Sequence, residues 1–485
     1  LPQIKEFERV STTAVNAYVG PAVGRYLANL EQRLQDKGYA GPVLIILSHG
    51  GVAPIRDTIR LAVGTVLSGP AGGVAGARRS AQLLDAPNLI PFDMGGTSTD
   101  ISLISDGEAA LSADRGVGGE RVALPSLDIV SIGAGGGSIA RVDAGGVLHV
   151  GPESAGAQPG PACYGRGGTE PTVTDASVVL GLLDAENFLG GAAKLDKPAA
   201  ETAIDGLAKR LGVDRMTAAE GVHRVVNTTM AEGVRLVSVR RGVDPRRFAL
   251  LSFGGAAGVH ITEIARGLEI GRVFAPRVAS VLSAWGMLAT DLRFEAARSH
   301  IGDAGALDAG SLRDLFAELE ADARSRLTAA GFEGAVEIHP SADMRYGEQI
   351  FEIDVNLDGV DFAAADLLDE VAKRFHARHE ALFTYSLPDQ EPVLVNARAA
   401  AIGKLPDLPQ EPAAASGAPV AARTERPVFM GGQNIDAPIY DFDQLQPGQT
   451  IDGPAIVESE TTTVVLRPGD RATTTPFRWL DIAVG

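Results

Sequence analysis

The run Asp93-Met94-Gly95-Gly96-Thr97-Ser98-Thr99-Asp100 constrains this chain more than any other segment. The apolar stretch from Leu89 to Met94 reads as a strand that delivers a carboxylate near its end. Two glycines break it. Residues 97–104, β-branched in character, read as a second strand, so the segment is a tight hairpin. A glycine turn bares backbone N–H groups, which can wrap a phosphate. Thr97, Ser98 and Thr99 can add hydroxyl donors. Asp93 or Asp100 can hold Mg2+, usually through water, or orient an attacking group. A plain turn between two strands is the competing reading from composition alone.

Glycine is abundant, with 58 residues, and much of it is clustered between apolar runs. Such clusters mark places where backbone turns tightly or approaches something closely. Gly72-Gly73, Gly118-Gly119, Gly135-Gly136-Gly137 and Gly254-Gly255 are the other notable clusters. The apolar run Phe248 to Phe253 ends in Gly254-Gly255-Ala256, a strand end at a helix start, where a nucleotide can lie against backbone. Close strand–helix packing would explain the same glycines. Ile132 to Ser138 is a third glycine loop, in which Gly135 and Gly136 could cradle a phosphate or simply turn a corner.

Other chemistry-bearing residues are fewer. His49 follows the apolar run 42–47 in Ser48-His49-Gly50-Gly51, a strand end where ligands collect, although a lone histidine is more often structural. His260 sits beside the 254–256 loop. His376 and His379, three apart on a predicted helix, read as a surface pair. Cys163 lies in a glycine-rich loop with no adjacent base, so packing is expected of it and not catalysis. Asp175 reads as a helix N-cap. P-loop, nucleophile-elbow and His-Glu-x-x-His strings are not found, which weakens serine-hydrolase and zinc-hydrolase readings.

With 485 residues, at roughly 150 per domain, about three domains are expected. Helices are expected at 7–37, 54–63, 68–84, 172–183 and 198–239, with strands between them, which implies an α/β fold of mixed sheets. Residues 298–404 follow a helix–strand–strand–helix–strand order, a small α+β domain. The Pro- and Ala-rich stretch 405–422 reads as a linker, and 423–485 as a β-rich C-terminal domain. The charge of −18, from 43 basic and 61 acidic residues, argues against nucleic acid as a partner. A single cysteine excludes an intramolecular disulfide and a cysteine-based zinc site. No apolar stretch approaches the roughly 20 residues of a membrane span. No signal peptide is read, so a reducing, cytoplasmic setting is the expectation.

These strings, in this order, resemble the hydantoinase A / 5-oxoprolinase / acetone carboxylase β family of the actin-like ATPase superfamily. The resemblance covers nearly the whole chain. It takes in residues 8–18, SHGG at 48–51, SGPAGG at 68–73, DMGGTSTD at 93–100 and GAGGGSIA at 133–140. It continues through GPESAGAQPGPACYGRGGTEPTVTDA at 151–176, SFGGAAGVH at 252–260, Met344-Arg345-Tyr346 with Gln349, and DGPAIVE at 452–458. It implies an actin-like (ribonuclease H-like) core over 1–297 that uses ATP with Mg2+, and a hydantoinase B-type partner subunit. The hairpin would hold phosphate through Gly95, Gly96, Thr97, Ser98 and Thr99, and Gly254, Gly255 and Ala256 would form the adenosine loop. Asp93 is the expected metal ligand; Asp93, Asp100 and His49 are the candidate catalytic residues.

Two departures from the family pattern stand out. Such proteins usually begin with a segment carrying an earlier Asp-x-Gly-Gly-Thr hairpin, and the stretch from Leu1 has only the hairpin at 93–100, so the expectation is a missing half-site, on a separate chain or removed. Many hydantoinase-like members also have a histidine shortly after the acid that precedes the GAGGGS loop, where this chain reads Asp128-Ile129-Val130-Ser131. The family chemistries are opening of a cyclic amide and carboxylation of a ketone, both explicable by phosphorylating an oxygen. An ATP-dependent cyclic amide hydrolase subunit leads here. A ketone carboxylase subunit and a non-catalytic scaffold remain as alternatives.

Overall fold

The computed structural model describes residues 6–112, 115–117, 120–299, 308–347, 349, 351–406, 412–416 and 418–485. Gly118-Gly119 and parts of the 405–422 stretch lie outside them. Compactness divides the chain into two units, Leu1–Ala71 with Leu111–Ser126 and Ala289–Asp407, and Gly72–Ala110 with Leu127–Leu288 and Leu408–Gly485. The blocks read from sequence were divided by texture; compactness groups the residues differently.

The first unit is built on a six-stranded sheet, ordered Leu44–Ile46, Val52–Pro54, Leu292–Ser299, Pro392–Gly403, Val336–Tyr346, Ile353–Asn356. The strand Val52–Pro54 escaped the sequence reading because Gly50-Gly51 looked like the end of an element, whereas it is the turn of a hairpin. Alternation along the strands buries Phe294, Ala296, Ala342, Met344, Ala397, Ala399 and Ala401. The helix Ala309–Ala329 packs on Leu292–Ser299 and Pro392–Gly403, and Leu367–Phe383 packs on Ile353–Asn356. The second helix of the helix–strand–strand–helix–strand order read over 298–404 is Leu367–Phe383. The long helix Glu6–Asp36 forms as expected, but little of its apolar face is core: Leu27 is buried, whereas Tyr18 and Tyr26 are exposed.

His376 and His379 are not a surface pair. His379 is fully buried; it accepts from Gln349 Nε2 at 2.7 Å and donates from Nδ1 to the Tyr385 carbonyl at 2.8 Å. His376 Nδ1 meets Tyr346 Oη at 2.7 Å. The two histidines secure the Met344-Arg345-Tyr346 and Gln349 motif to the helix, a role that sequence spacing does not reveal.

The second unit holds a ten-stranded mixed sheet whose main path runs Ile129–Ile132, Thr99–Ser102, Leu89–Met94, Ala249–Phe253, Arg272–Ala275, Leu480–Ala483, Arg471–Thr474, Thr450–Asp452. Leu89–Met94, Ala249–Phe253 and Arg272–Ala275 are parallel and nearly all buried, as central strands covered on both faces must be. From the stretch read as a β-rich C-terminal domain, Leu480–Ala483 pairs antiparallel with Arg272–Ala275 and extends this sheet. A separate four-stranded sheet joins Thr424–Met430, Gln433–Asp441, Ala455–Glu458 and Thr463–Leu466. Described residues of the Pro/Ala-rich stretch are held to this unit, with Ala413 N–H donating to Pro476 O and Ser416 N–H to Pro447 O.

Gly72 and Gly76 of the small-residue helix Ser68–Leu83 face the helix Leu282–Leu288 at backbone distance. A Cβ on Gly286 would lie 2.1 Å from Gly72 O and 2.3 Å from Gly76 N. Trp285 and Trp479, the chain's two tryptophans, stand edge to face 5.8 Å apart in the same unit and report its state. Gly286→Ala is expected to lower stability by about 2 kcal/mol, by overpacking, seen as an earlier urea midpoint in tryptophan fluorescence. An unchanged midpoint would mean the two helices are not in such contact.

Candidate functional site

Parallel pairing of Leu89–Met94 with Ala249–Phe253, with Asp93 opposite Phe253, brings two glycine-rich strand ends side by side. In open α/β sheets the carboxyl ends of parallel strands are where ligands bind. The hairpin closes through Gly95 N–H to Ser98 O at 3.1 Å and places Asp93 directly opposite Asp100. Gly96, Thr97 and Ser98 donate no backbone hydrogen bond to any described residue, leaving three successive N–H groups at the tip. Runs of this kind form anion-binding concavities.

The 133–138 loop crosses behind the hairpin. Gly136 N–H donates to Gly95 O at 3.0 Å and Gly137 N–H to Gly96 O at 2.6 Å. Contact this close requires bare backbone: a Cβ on Gly135 would lie 2.7 Å from Thr97 N. Thr174, near the start of the helix Val173–Val179, ties itself to Gly136 O through both its N–H (2.7 Å) and its hydroxyl (2.8 Å). On the other side Ala256 N–H donates to Met94 O at 3.1 Å, and Gly254, at φ +79°, sits where a Cβ would be 2.3 Å from Met94 O and 2.5 Å from Asp93 Oδ1. By contrast, a Cβ on Gly96 would meet nothing within 4 Å, and one on Gly95 only Ser98 O at 4.0 Å.

These segments surround a cavity of about 240 Å³. Of the residues expected from sequence, Gly95, Gly96, Gly136, Gly255 and Ala256 line it. Gly135 and Gly254 do not; they are the packing glycines that let the loops meet. Asp93, Thr97, Ser98 and Asp100 belong to the same hairpin but are not among the residues lining the cavity. Thr99 needs the same correction: its side chain is fully buried and its hydroxyl donates to Ala134 O at 2.5 Å, so it braces the hairpin and offers nothing to a ligand. His49 belongs to the first unit. Its Nδ1 accepts from Gly51 N–H at 3.1 Å, and burial pushes its pKa down to about 4 beside Glu295 and Arg293. Burial works to raise Glu295, but Arg293, His49 and Arg398 outweigh it and hold that carboxyl at about 2.

Other walls of the cavity were missed. Ser459 to Thr463, a turn between two strands of the four-stranded sheet, closes one side, and Tyr164, Leu183 and Phe188 form an apolar side. The hydroxyl run Thr461-Thr462-Thr463 was the available signal for the first; nothing local marks the second. Asp175 is not the N-cap but the third helical residue of a capping box whose N-cap is Thr172. Its carboxylate also accepts from Cys163 N–H at 2.7 Å and Ala162 N–H at 3.2 Å, which locks the Cys163 loop. Burial and the Asp175 charge push the Cys163 thiol far up, away from thiolate chemistry. Asp128 is ion-paired with Arg241.

The parallel centre, the flanking helices and the glycine hairpin at the strand ends define an actin-like ATPase fold. Two solved structures share it: ATP-dependent caprolactamase from Pseudomonas jessenii, at TM-score 0.86 and 37% identity, covering 100% of this chain and 71% of that one, and a nucleotide-free acetone carboxylase, at TM-score 0.81 and 27% identity, covering 99% and 70%. The chain belongs to the hydantoinase/oxoprolinase family, whose models match residues 9–296 and, for the C-terminal domain, 302–483. Among relatives, the caprolactamase subunit alpha of P. jessenii is 38% identical over all of this chain and 71% of its own length. 5-Oxoprolinase 1 of Arabidopsis thaliana is 32% identical over all of this chain and 39% of its own. Among the described residues no helix is long and apolar enough to cross a membrane.

Burial first, and then the Asp100 charge, raise Asp93 from 3.8 to about 6, against the hydrogen bond from Ser283. Between these values the folded chain holds more proton than the unfolded one. Stability therefore falls as pH rises through that window, and the full cost, roughly 3 kcal/mol, is present above pH 6. Asp93→Asn should stabilise the protein by about 1–2 kcal/mol at pH 7.5 and flatten the dependence between pH 4 and 6. Urea unfolding at pH 4.5 and 7.5 checks this. Cys163→Ser should keep most of the enzyme's turnover, and near-complete loss would reveal a nucleophile.

Proposed function

We propose that this chain is the ATP-dependent subunit of an enzyme that opens a cyclic amide, with ATP and Mg2+ held at the cavity of the second unit. The convergence of three glycine-rich segments on one cavity carries this reading, in a chain 38% identical along its length to a caprolactamase subunit. The residues fit a nucleotide. Space stands open over Gly95 and Gly96, and the amides from Gly96 to Ser98 suit anionic oxygens. Asp93 and Asp100, opposed and partly buried, suit a divalent cation that would relieve their repulsion. No group of three or more acidic, His or Cys side chains able to hold a metal occurs among the described residues. Mg2+ keeps several waters and is held through one or two carboxylates, the number that Asp93 and Asp100 offer.

When bound, ATP would supply a phosphoryl group to the lactam oxygen, which makes the carbonyl carbon a better electrophile for water so that the ring C–N bond breaks and phosphate is released by a second water. The chain's residues bind and orient. Gly96, Thr97 and Ser98 would donate to phosphate oxygens, and Gly255 and Ala256 would bring backbone alongside the nucleotide. Asp93 and Asp100 would hold the cation and orient a reacting hydroxyl. The 459–463 turn and the Tyr164–Phe188 side would shield the reaction from water. A B-type subunit is the proposed partner, in keeping with relatives that are named as subunits of larger enzymes. Likeness to acetone carboxylase, together with the missing histidine after Asp128, keeps ketone carboxylation as the second reading.

The test is ATP hydrolysis with Mg2+ in the assembled enzyme, presented with caprolactam, hydantoin, 5-oxoproline, or acetone with bicarbonate. Stimulation by a cyclic amide, abolished in Gly95→Val, is the expected result. Stimulation only by ketone with bicarbonate would replace hydrolase with carboxylase. Wild-type turnover in Gly95→Val would overturn the site.

A further inference from the structure

His260 lines the cavity yet takes no part in the glycine cradle. It is 1% exposed and its Nδ1 meets Asn227 Oδ1 at 2.7 Å. An amide oxygen can only accept, so Nδ1 carries the proton and Nε2 a lone pair. Nε2 has no partner among the described residues, and it is not among the polar atoms sealed in the core, so it borders the cavity. Behind it the ring stacks on His223 at 4.6 Å and 27°. His223 Nε2 is in turn 2.9 Å from Ser177 Oγ, whose own proton goes to Val173 O at 2.9 Å, so His223 is the donor to Ser177. Each ring is thereby held in a single tautomer and orientation, His260 protonated at Nδ1 and His223 at Nε2.

The helix Val173–Val179 places this group relative to the cradle. Thr174 is bonded to Gly136; Ser177 follows one turn later, about 4.5 Å along the axis. Val259 also lines the cavity, and Tyr164 and Phe188, 6.1 Å apart, provide an aromatic side. A lone pair repels a phosphate oxygen and attracts an N–H or O–H. Burial and the Arg467 charge hold His260 at about 3, so it stays neutral at any working pH and never becomes a phosphate-binding cation.

We propose that His260 recognises the nucleoside part of the nucleotide, its Nε2 accepting a hydrogen bond from an N–H of the base or an O–H of the sugar, with His223 and Asn227 as positioning residues. This rests on the ATP reading of the cavity. The experiment is steady-state hydrolysis in the assembled enzyme with ATP, inosine triphosphate, and 2′- and 3′-deoxy-ATP, for wild type, His260→Ala, His260→Gln and Asn227→Leu. His260→Ala is expected to raise KM for ATP about tenfold with kcat nearly unchanged, the loss of one hydrogen bond. His260→Gln, which keeps an acceptor, recovers most of it. Asn227→Leu, which only frees the tautomer, raises KM about threefold and gives a second reading where His260→Ala fails to fold.

Lost discrimination against inosine triphosphate would identify the base amine as the donor; lost discrimination against a deoxy nucleotide would identify the sugar. Unchanged KM with every nucleotide, or a fall in kcat at constant KM, would overturn the proposal. If calorimetry shows that wild type binds no ATP, the reading of the cavity itself has failed, which the variants alone would not show.

Discussion

The site depends on backbone meeting backbone without side chains between. Two amides of the 133–138 loop donate to the carbonyls of Gly95 and Gly96, and Ala256 donates to Met94 O. The hairpin tip is thus gripped from two sides by its carbonyls, and its N–H groups are left over. A free two-stranded turn would satisfy or solvate those amides in many ways. Here the carbonyl direction is determined, so the amide direction is as well, and the donors are preorganised before any anion arrives.

This arrangement divides the glycines by task. Gly135 and Gly254 are required because another part of the chain occupies the place of their side chains, whereas Gly95 and Gly96 have open space there. Neither of the latter two has a positive φ, so conformation alone does not demand glycine at the tip. Bare backbone with room in front of it is what a ligand site asks for and what a merely tight turn does not. Asp93 makes the same point electrostatically: a half-buried acid facing another acid weakens the empty fold, and such placements cluster at functional sites.

What could be read from the sequence was local. The hairpin, the two further glycine loops, the central strands and most helices announce themselves within a dozen residues, through apolar period and glycine punctuation. The division of roles among the glycines could not be read, because it turns on which atoms of a distant segment lie opposite each one. Thr99 looked like its neighbours Thr97 and Ser98 until strand alternation turned it inward onto Ala134. The Ser459–Thr463 wall and the aromatic side arise from long-range pairing that leaves no local mark. His260 was visible beside its loop, but its meaning comes from Asn227, His223 and Ser177 on two other helices.

The turn at 459–463 also sets a schedule. It lies about 360 residues downstream of the hairpin whose cavity it closes, and contacts so distant in the chain are slow to find one another. During synthesis, which proceeds from the N-terminal end, the hairpin, both glycine loops and the neutral histidine pair emerge long before that wall exists. A growing chain therefore carries an open half-site from the time His260 has emerged until roughly 200 further residues have followed, and only then gains a closed one.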